Sequence, residues 1–336
     1  MRPSASLAAS DRDPAPDLAK LNLGLSEFEL IDRYFSSATI PREDVLVGIG
    51  DDAALLQPLA DDDVVSTMKT LVEGVHFRRG TDPHSLGHRV LAVALSRLAA
   101  AGALPAWVTL SLTLPKADDA WLTRFSAGFA ELARRYQVQL VGGDTVRGPL
   151  SITLVASGLV ARGQTLERSR AAAGDLIYVT GTLGEAGLAV LAERGTLQLP
   201  QKVQAKFQAR LDQPQPRLAE ARALRHLATA ATDLPNGLLE GLGELLRASA
   251  VGATLYLAEL PLSAETLSWL AAVGGRRFAL HAGGDYELCL TIPAGRQAEA
   301  EVAFASMGGR CTWIGMVETA PGIRCVLEDG SLSSLG

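Results

Sequence analysis

A two-domain fold of mixed α and β elements is expected from three observations. The chain has 336 residues, too many for one ordinary core. Its hydrophobic fraction is 48%, mostly Ala, Leu and Val, enough to fill well-packed α/β layers. Segments of strand character alternate with segments of helical period along most of its length.

The elements follow in order. Residues 1–22 mix Ser, Ala, Asp and Pro with scattered charge and lack the apolar run of a signal peptide, so they read as a disordered tail. Short strands are expected near 45–50, 52–57 and 63–68. Residues 90–114 would pass for a membrane span but for Arg97, Gly102 and Pro105. Leu91, Leu95 and Leu98 recur at helical spacing and Gly102 ends that helix. Val108, Leu110, Leu112 and Leu114 then alternate with Thr109, Ser111 and Thr113, the pattern of a half-buried strand. Asp118-Asp119 offers an N-terminal cap to a helix burying Trp121, Phe125, Phe129 and Leu132. Residues 138–141 and 151–160 read as strands on either side of a turn, Gly142-Gly143-Asp144-Thr145.

The polar run Ala161-Arg162-Gly163-Gln164-Thr165 is the expected seam between an N-terminal domain, 23–163, and a C-terminal domain, 164–330. Beyond it come a strand at 176–180, a turn with Gly181, Gly184 and Gly187, and a helix from about Ala186. Such a glycine turn can hold an anion on free backbone N–H groups, or can let helix and strand pack closely. Helices are expected over 217–230 and 237–248, and strands near 253–258 and 286–292.

Net charge is −6 with no basic block, which argues against a nucleic-acid partner, and no membrane segment is expected. Cys289, Cys311 and Cys325 lack metal-ligand spacing and are odd in number for a disulfide framework, so they read as free thiols of a cytoplasmic protein.

The chemistry concentrates in two acidic, glycine-flanked segments, Gly48-Ile49-Gly50-Asp51-Asp52 and Gly142-Gly143-Asp144-Thr145. Glycine lets a backbone approach a ligand, and bare carboxylates suit Mg²⁺, which is usually shared with substrate phosphates. Phosphoryl transfer depends chiefly on positioning and charge neutralisation, so the pattern points to nucleotide chemistry. Gly and Asp also simply make turns, and either segment alone would be weak evidence.

Other motifs join these in a fixed order: Thr70-Leu71-Val72-Glu73-Gly74-Val75-His76-Phe77, Ala94-Leu95-Ser96 with Leu98-Ala99-Ala100, Ala173-Gly174-Asp175 with Tyr178-Val179-Thr180-Gly181-Thr182-Leu183-Gly184, and Gly284-Asp285-Tyr286-Glu287-Leu288. Over about residues 25–330 the set resembles the thiamine-monophosphate kinase family, within the aminoimidazole-ribonucleotide-synthetase superfamily. The resemblance implies an α/β (α+β) two-domain synthetase-like fold whose N-terminal sheets pair into a barrel across a homodimer. It implies ATP- and Mg²⁺-dependent phosphorylation of thiamine monophosphate to thiamine diphosphate. By the same resemblance Asp51, Asp52, Asp144 and Asp233 are metal ligands, with Asp144 and Asp233 also catalytic. Gly50, Thr70, Gly143, Asp144, Thr145 and Arg170 fall to the nucleotide, and His76 and Asn236 to the substrate.

The chain departs from that family at several positions. Lys69 and Arg97 stand where it carries aspartates, Pro235 and Asn236 replace a serine and an aspartate, Gly284 replaces a glutamate, and the aromatic C-terminal tail is absent. A cation about 4 Å from a divalent metal repels it by several kcal/mol even at an effective dielectric near 20. Lys69 and Arg97 are therefore expected to reach the site of Asp51, Asp52 and Asp144 and reduce its metal occupancy, pairing with phosphate or with those aspartates. The alternative function is a weak or inactive paralogue that binds nucleotide or thiamine phosphate with fewer ions. A third class, another superfamily chemistry, is disfavoured. No cysteine precedes Cys289, as selenophosphate-synthetase-like chemistry would want, and the chain does not end in the cysteine of a hydrogenase-maturation protein.

Overall fold

The computed structural model describes residues 27–36, 38–306 and 311–335, so the expected tail at 1–22 lies outside the described residues. In the N-terminal half, strands β3 (Asp62–Val72), β4 (Leu104–Leu114), β5 (Gln139–Arg147) and β6 (Ser151–Ala161) form an open four-stranded sheet in the order β3-β6-β4-β5. The preceding strands β1 (Val45–Val47) and β2 (Leu55–Leu56) pair as a separate hairpin, and α1 (Glu27–Tyr34) precedes them. One face of the sheet is covered by α2 (Pro83–Ala100) and α3 (Asp119–Arg135).

Local chemistry sets these boundaries. Asp82 caps α2 by accepting from the Ser85 N–H at 3.1 Å, ahead of Pro83 in the first turn. Asp118 caps α3 as expected, accepting from the Trp121 N–H at 3.1 Å. On β4, Val108, Leu110, Leu112 and Leu114 are buried and Thr109, Ser111 and Thr113 half-buried, as the alternation requires.

Two expectations fail. Gly142-Gly143-Asp144-Thr145 is not a turn but the middle of β5, which runs parallel to β4. Gly143 is needed there because a Cβ at that position would run into the Leu110 carbonyl oxygen. The helix expected over 217–230 stops early: α6 is Leu218–Leu224, and Ala230–Asp233 forms strand β8. Pairing with β10 (Leu288–Pro293) in the interior overrides the helical preference of its alanines.

In the C-terminal half, β7 (Asp175–Thr180), β8, β9 (Gly252–Tyr256), β10, β11 (Cys311–Glu318), β12 (Gly322–Val326) and β13 (Leu332–Leu335) form a seven-stranded sheet ordered β13-β12-β9-β11-β7-β10-β8. Only the β12–β9 pair is parallel. Helices α4 (Glu185–Glu193), α5 (Gln201–Asp212), α7 (Leu238–Ala248), α8 (Ala264–Trp269), α9 (Arg277–His281) and α10 (Gln297–Ser306) complete this half.

Helix α2 joins the halves. It packs on β3 and β6 of the first sheet and on α6, β8 and β10 of the second half. Leu91 and Leu95 on α2 share one buried cluster with Ile152 and Leu154 on one side and Leu224, Leu288 and Leu290 on the other. This burial explains the near-continuous apolar run: a helix clad by protein around most of its girth needs no polar stripe. Among the described residues no helix is long and apolar enough to cross a membrane.

Candidate active site

The residues singled out by sequence fall in separate cavities of the protomer. The largest, about 790 Å³, runs along edge strand β5 and is walled by α1. It gathers Gly50, Asp51, Asp52, Gly143, Asp144 and Thr145. The loop carrying Asp51 and Asp52 links β1 to β2, and the Trp107 indole anchors its base by donating to Asp44 at 3.0 Å. Gly50 has φ +117°, a conformation L side chains rarely adopt, so glycine is required to turn the two aspartates toward the cavity mouth. The Asp52 N–H donates to the Asp51 carboxylate at 2.9 Å, and Asp51, Asp52 and Asp144 are all exposed.

Asp233 lies elsewhere. At the C-terminal end of β8 it lines a cleft of about 320 Å³ with Arg97, Arg168, Pro235, Asn236 and Glu244. Its carboxylate is 2% exposed, and its Oδ2 has no hydrogen-bond partner among the described residues. Burial raises its pKa, with Arg97 and Arg168 opposing. Arg168, which sequence reasoning passed over in favour of Arg170, stands 3.9 Å from Asp233, donates to Thr232 at 3.0 Å and pairs with Glu244 at 2.7 Å. A charged residue on the segment joining the two sheets was the available signal.

His76 lines a third cavity, about 270 Å³, with Arg89. Its Nδ1 accepts from the Val72 N–H at 3.0 Å, so the neutral ring carries its hydrogen on Nε2. Burial lowers its pKa, and Lys69 and Arg89 lower it further. Arg170 lines a fourth cavity with Arg225 and pairs with Glu167. Thr70 bonds Thr153 through its hydroxyl at 2.9 Å.

The expectation that Lys69 and Arg97 enter the site of Asp51, Asp52 and Asp144 is corrected. Lys69 sits opposite Leu154 on the α2-covered face, whereas Ser111 aligns Asp144 with Thr153 and Thr70 on the other. Successive strand residues point to opposite faces, so the one-residue offset between Lys69 and Thr70 separates the cation from those aspartates. Burial lowers the Lys69 pKa and Arg97 lowers it further, while Asp233 raises it. Both cations therefore belong with Asp233.

These donors do not fit a protein-made metal cage. Among the described residues no three His, Cys, Asp or Glu side chains stand close enough to hold one ion. Mg²⁺ would need its remaining ligands from water and substrate phosphates.

The glycine turn before α4 proves to be occupied from within. Asp285 accepts from the N–H groups of Gly184 at 2.6 Å and Ala186 at 2.9 Å, so an internal carboxylate takes the helix N-terminus where an anion could have bound. Two residues on, Glu287 accepts from Arg217, Arg210 and Thr180. Burial pushes the Asp285 pKa up to about 7 from an ordinary 3.8. A carboxyl whose pKa is raised on folding contributes stability below its unfolded value and loses it as pH climbs through the folded one. Urea unfolding should accordingly show a component falling between about pH 4 and pH 7 that Asp285→Asn removes. An unchanged pH slope in that variant would refute the assignment.

Both halves match family models, the AIR synthase related protein N-terminal domain over residues 50–160 and the C-terminal domain over 172–328. That defines the class, a two-domain AIR-synthase-related protein. The chain is 44% identical over 311 residues to the thiamine-monophosphate kinase of Escherichia coli (strain K12), covering 92% of this chain and 95% of that one. It is similar to the crystal structure of thiamine-monophosphate kinase from Stenotrophomonas maltophilia K279a, with TM-score 0.83, 42% identity, and 92% and 98% coverage. AaThiL complexed with AMPPCP and TMP matches with TM-score 0.71 and 28% identity, over 82% of this chain and 86% of that one. The chain belongs to the thiamine-monophosphate kinase family.

Proposed function

We infer that this chain transfers the γ-phosphoryl group of ATP to the phosphate of thiamine monophosphate, giving thiamine diphosphate and ADP. The observation that carries this reading is the 44% identity sustained over 92% of the chain. Phosphoryl transfer asks the protein mainly to position two phosphates and offset their charge. Asp51, Asp52, Asp144 and Asp233 retain the acidic positions that the family resemblance assigns to metal, with Gly50, Thr70, Gly143, Thr145 and Arg170 on the nucleotide. A reduced metal complement is part of this proposal, supported by the lack of any cluster of three His, Cys, Asp or Glu side chains among the described residues. Asn236 keeps a polar side chain where an aspartate is lost.

His76 is assigned to the acceptor phosphate, which its Nε2–H can meet in the third cavity. His76→Ala should weaken thiamine-monophosphate binding about tenfold or more, given the 1.5–3 kcal/mol of a hydrogen bond to a charged group. Unchanged affinity in calorimetry would remove that role.

The working unit is proposed to be a homodimer in which the uncovered face of the four-stranded sheet pairs with its copy into a barrel. Val64, Met68 and Val146 are 50%, 61% and 42% exposed there, an apolar surface that would otherwise invite aggregation. Light scattering at micromolar concentration should therefore give twice the 35.3 kDa chain mass, and a monomer would count against the pairing. The domain boundary is placed at residues 163–164. A cytoplasmic setting suits Cys289, Cys311 and Cys325, which are unbonded to one another.

A second reading has its own observation. Lys69 and Arg97 beside Asp233 favour a protein that binds phosphates while turning over slowly. Incubation of purified chain with ATP, Mg²⁺ and thiamine monophosphate, followed by chromatography, separates the two. Thiamine diphosphate supports the kinase, nucleotide binding without product supports the second reading, and neither overturns both.

A further inference from the structure

The cavity of His76 is walled from both halves of the fold. Arg89 enters it from α2, and Glu193 and Asp212 enter it from the C-terminal ends of α4 and α5. Apolar side chains, among them Phe77, Val190 and Leu211, line the rest. A mostly apolar wall with a few polar groups is the usual make-up of a small-molecule site.

Two charged groups of this one cavity are left without a counter-ion. Arg89 makes no hydrogen bond or ion pair with the described residues, and its Nε is shut off from solvent with no acceptor. A buried donor in that state is costly until something accepts from it. Asp212 is half-buried, and its Oδ2 accepts from the neutral Gln208 amide at 2.8 Å, but no cation among the described residues pairs with it. The other acid is already neutralised: Glu193 shares the same amide nitrogen at 2.7 Å and pairs with Arg78 at 3.2 Å. Arg194 also lines the cavity but is exposed, where water screens its charge.

Arg89 and Asp212 thus share a cavity without meeting each other. Opposite charges held apart in a small space are complementary to a ligand that carries both signs. Gly284 borders the Asp212 end. Its φ is +95°, and a Cβ there would stand 3.4 Å from Leu211, the neighbour of Asp212 in sequence. A side chain at 284 would be strained, so an acid at this end is more easily supplied from α5.

We propose that the cavity is bipolar, with Arg89 and His76 taking the phosphate of the ligand and Asp212 facing the cationic ring that carries it. Asp212 is then a specificity-determining residue, standing in for the glutamate absent at Gly284. The proposal deepens the kinase reading and rests on it for the choice of thiamine monophosphate, a phosphate monoester borne by a thiazolium cation. The planar guanidinium of Arg89 can meet two phosphate oxygens at once. A thiazolium nitrogen carries no hydrogen, so Asp212 acts on it through charge alone.

Calorimetry of the full chain with thiamine monophosphate and with unphosphorylated thiamine, both with Mg²⁺ present, separates the two poles. Arg89→Gln should weaken thiamine monophosphate binding about tenfold or more and leave thiamine unchanged. Asp212→Asn should weaken both ligands by the same factor, about fivefold, and Asp212→Glu should recover most of that loss. Asp212→Asn is nearly isosteric at a half-buried helix end, and it decides the matter should Arg89→Gln not fold. Equal loss of both ligands in Arg89→Gln, or unchanged thiamine-monophosphate affinity in Asp212→Asn, would overturn the bipolar cavity, as would a parent chain that binds no thiamine monophosphate. Affinities that follow both poles while no thiamine diphosphate forms would keep the cavity and sink the kinase. Thiamine diphosphate formed while both variants bind as the parent does would keep the kinase and sink the cavity.

Discussion

Glu287→Ala is expected to lose about 3–5 kcal/mol in urea unfolding, the usual cost of leaving a buried ion-pair partner alone. The Glu287 side chain is 0% exposed and accepts two parallel bonds from the Arg217 guanidinium, at 2.6 Å and 2.5 Å. Arg210 donates to it at 2.5 Å and Thr180 at 2.6 Å. Removing the carboxylate strands two arginines that are only 16% and 21% exposed, with no other acid placed to take both. Each arginine has one weaker alternative, Glu185 at 3.6 Å from Arg210 and Glu220 at 3.5 Å from Arg217. Glu287→Gln keeps the volume and should fall between the parent and alanine. A loss under about 1 kcal/mol for alanine would mean that the network contributes no more than ordinary neutral hydrogen bonds.

The second large effect is a change in metal response. Lys69→Asp combined with Arg97→Asp converts the surroundings of Asp233 from cationic to acidic. Three clustered carboxylates repel one another and raise each other's pKa, so the metal-free variant should melt below the parent. Mg²⁺ then has a group of hard oxygen ligands to occupy. At a concentration one hundred times its Kd, the ion would stabilise the variant by about 2.7 kcal/mol. The parent should show almost no Mg²⁺-dependent thermal shift, and the variant a clear one. Equal shifts would show that Lys69 and Arg97 do not exclude metal from Asp233. Pro235 and Asn236 still separate the variant from a full family site, so recovery of turnover is not implied.

Much of the fold could be read directly because the signals were local. Asp118 caps its helix whatever lies beyond it, and the alternation of Val108 to Leu114 needs only a covered and an uncovered face. Gly142-Gly143 misled because glycine serves tight turns and close strand packing equally, and only the partner strand decides. The end of the helix expected over 217–230 misled for a related reason, since Ala230 opens an all-buried edge strand that has no period of its own. In the candidate site, the placing of Asp51, Asp52 and Asp144 on one cavity was implied by the family resemblance of their glycine-flanked segments. The distance of Asp233 from them was not, because it depends on how two sheets dock. Nor were the roles of Asp285 and Glu287, although two acids spaced by one residue before an apolar strand already implied buried partners.

Helix α2 is wrapped by both sheets, and this constrains how the molecule can move. Two lobes that meet across water can swing apart on a hinge, but these two share one continuous interior. Opening them would strip solvent-excluded surface from Leu91, Leu95 and Leu288 together, a penalty of several side chains at roughly 1.5–3 kcal/mol each. Large-scale lobe closure is thereby denied to this chain as a way of enclosing its ligands. The same sharing couples the halves thermodynamically, so heat should melt them in one cooperative step.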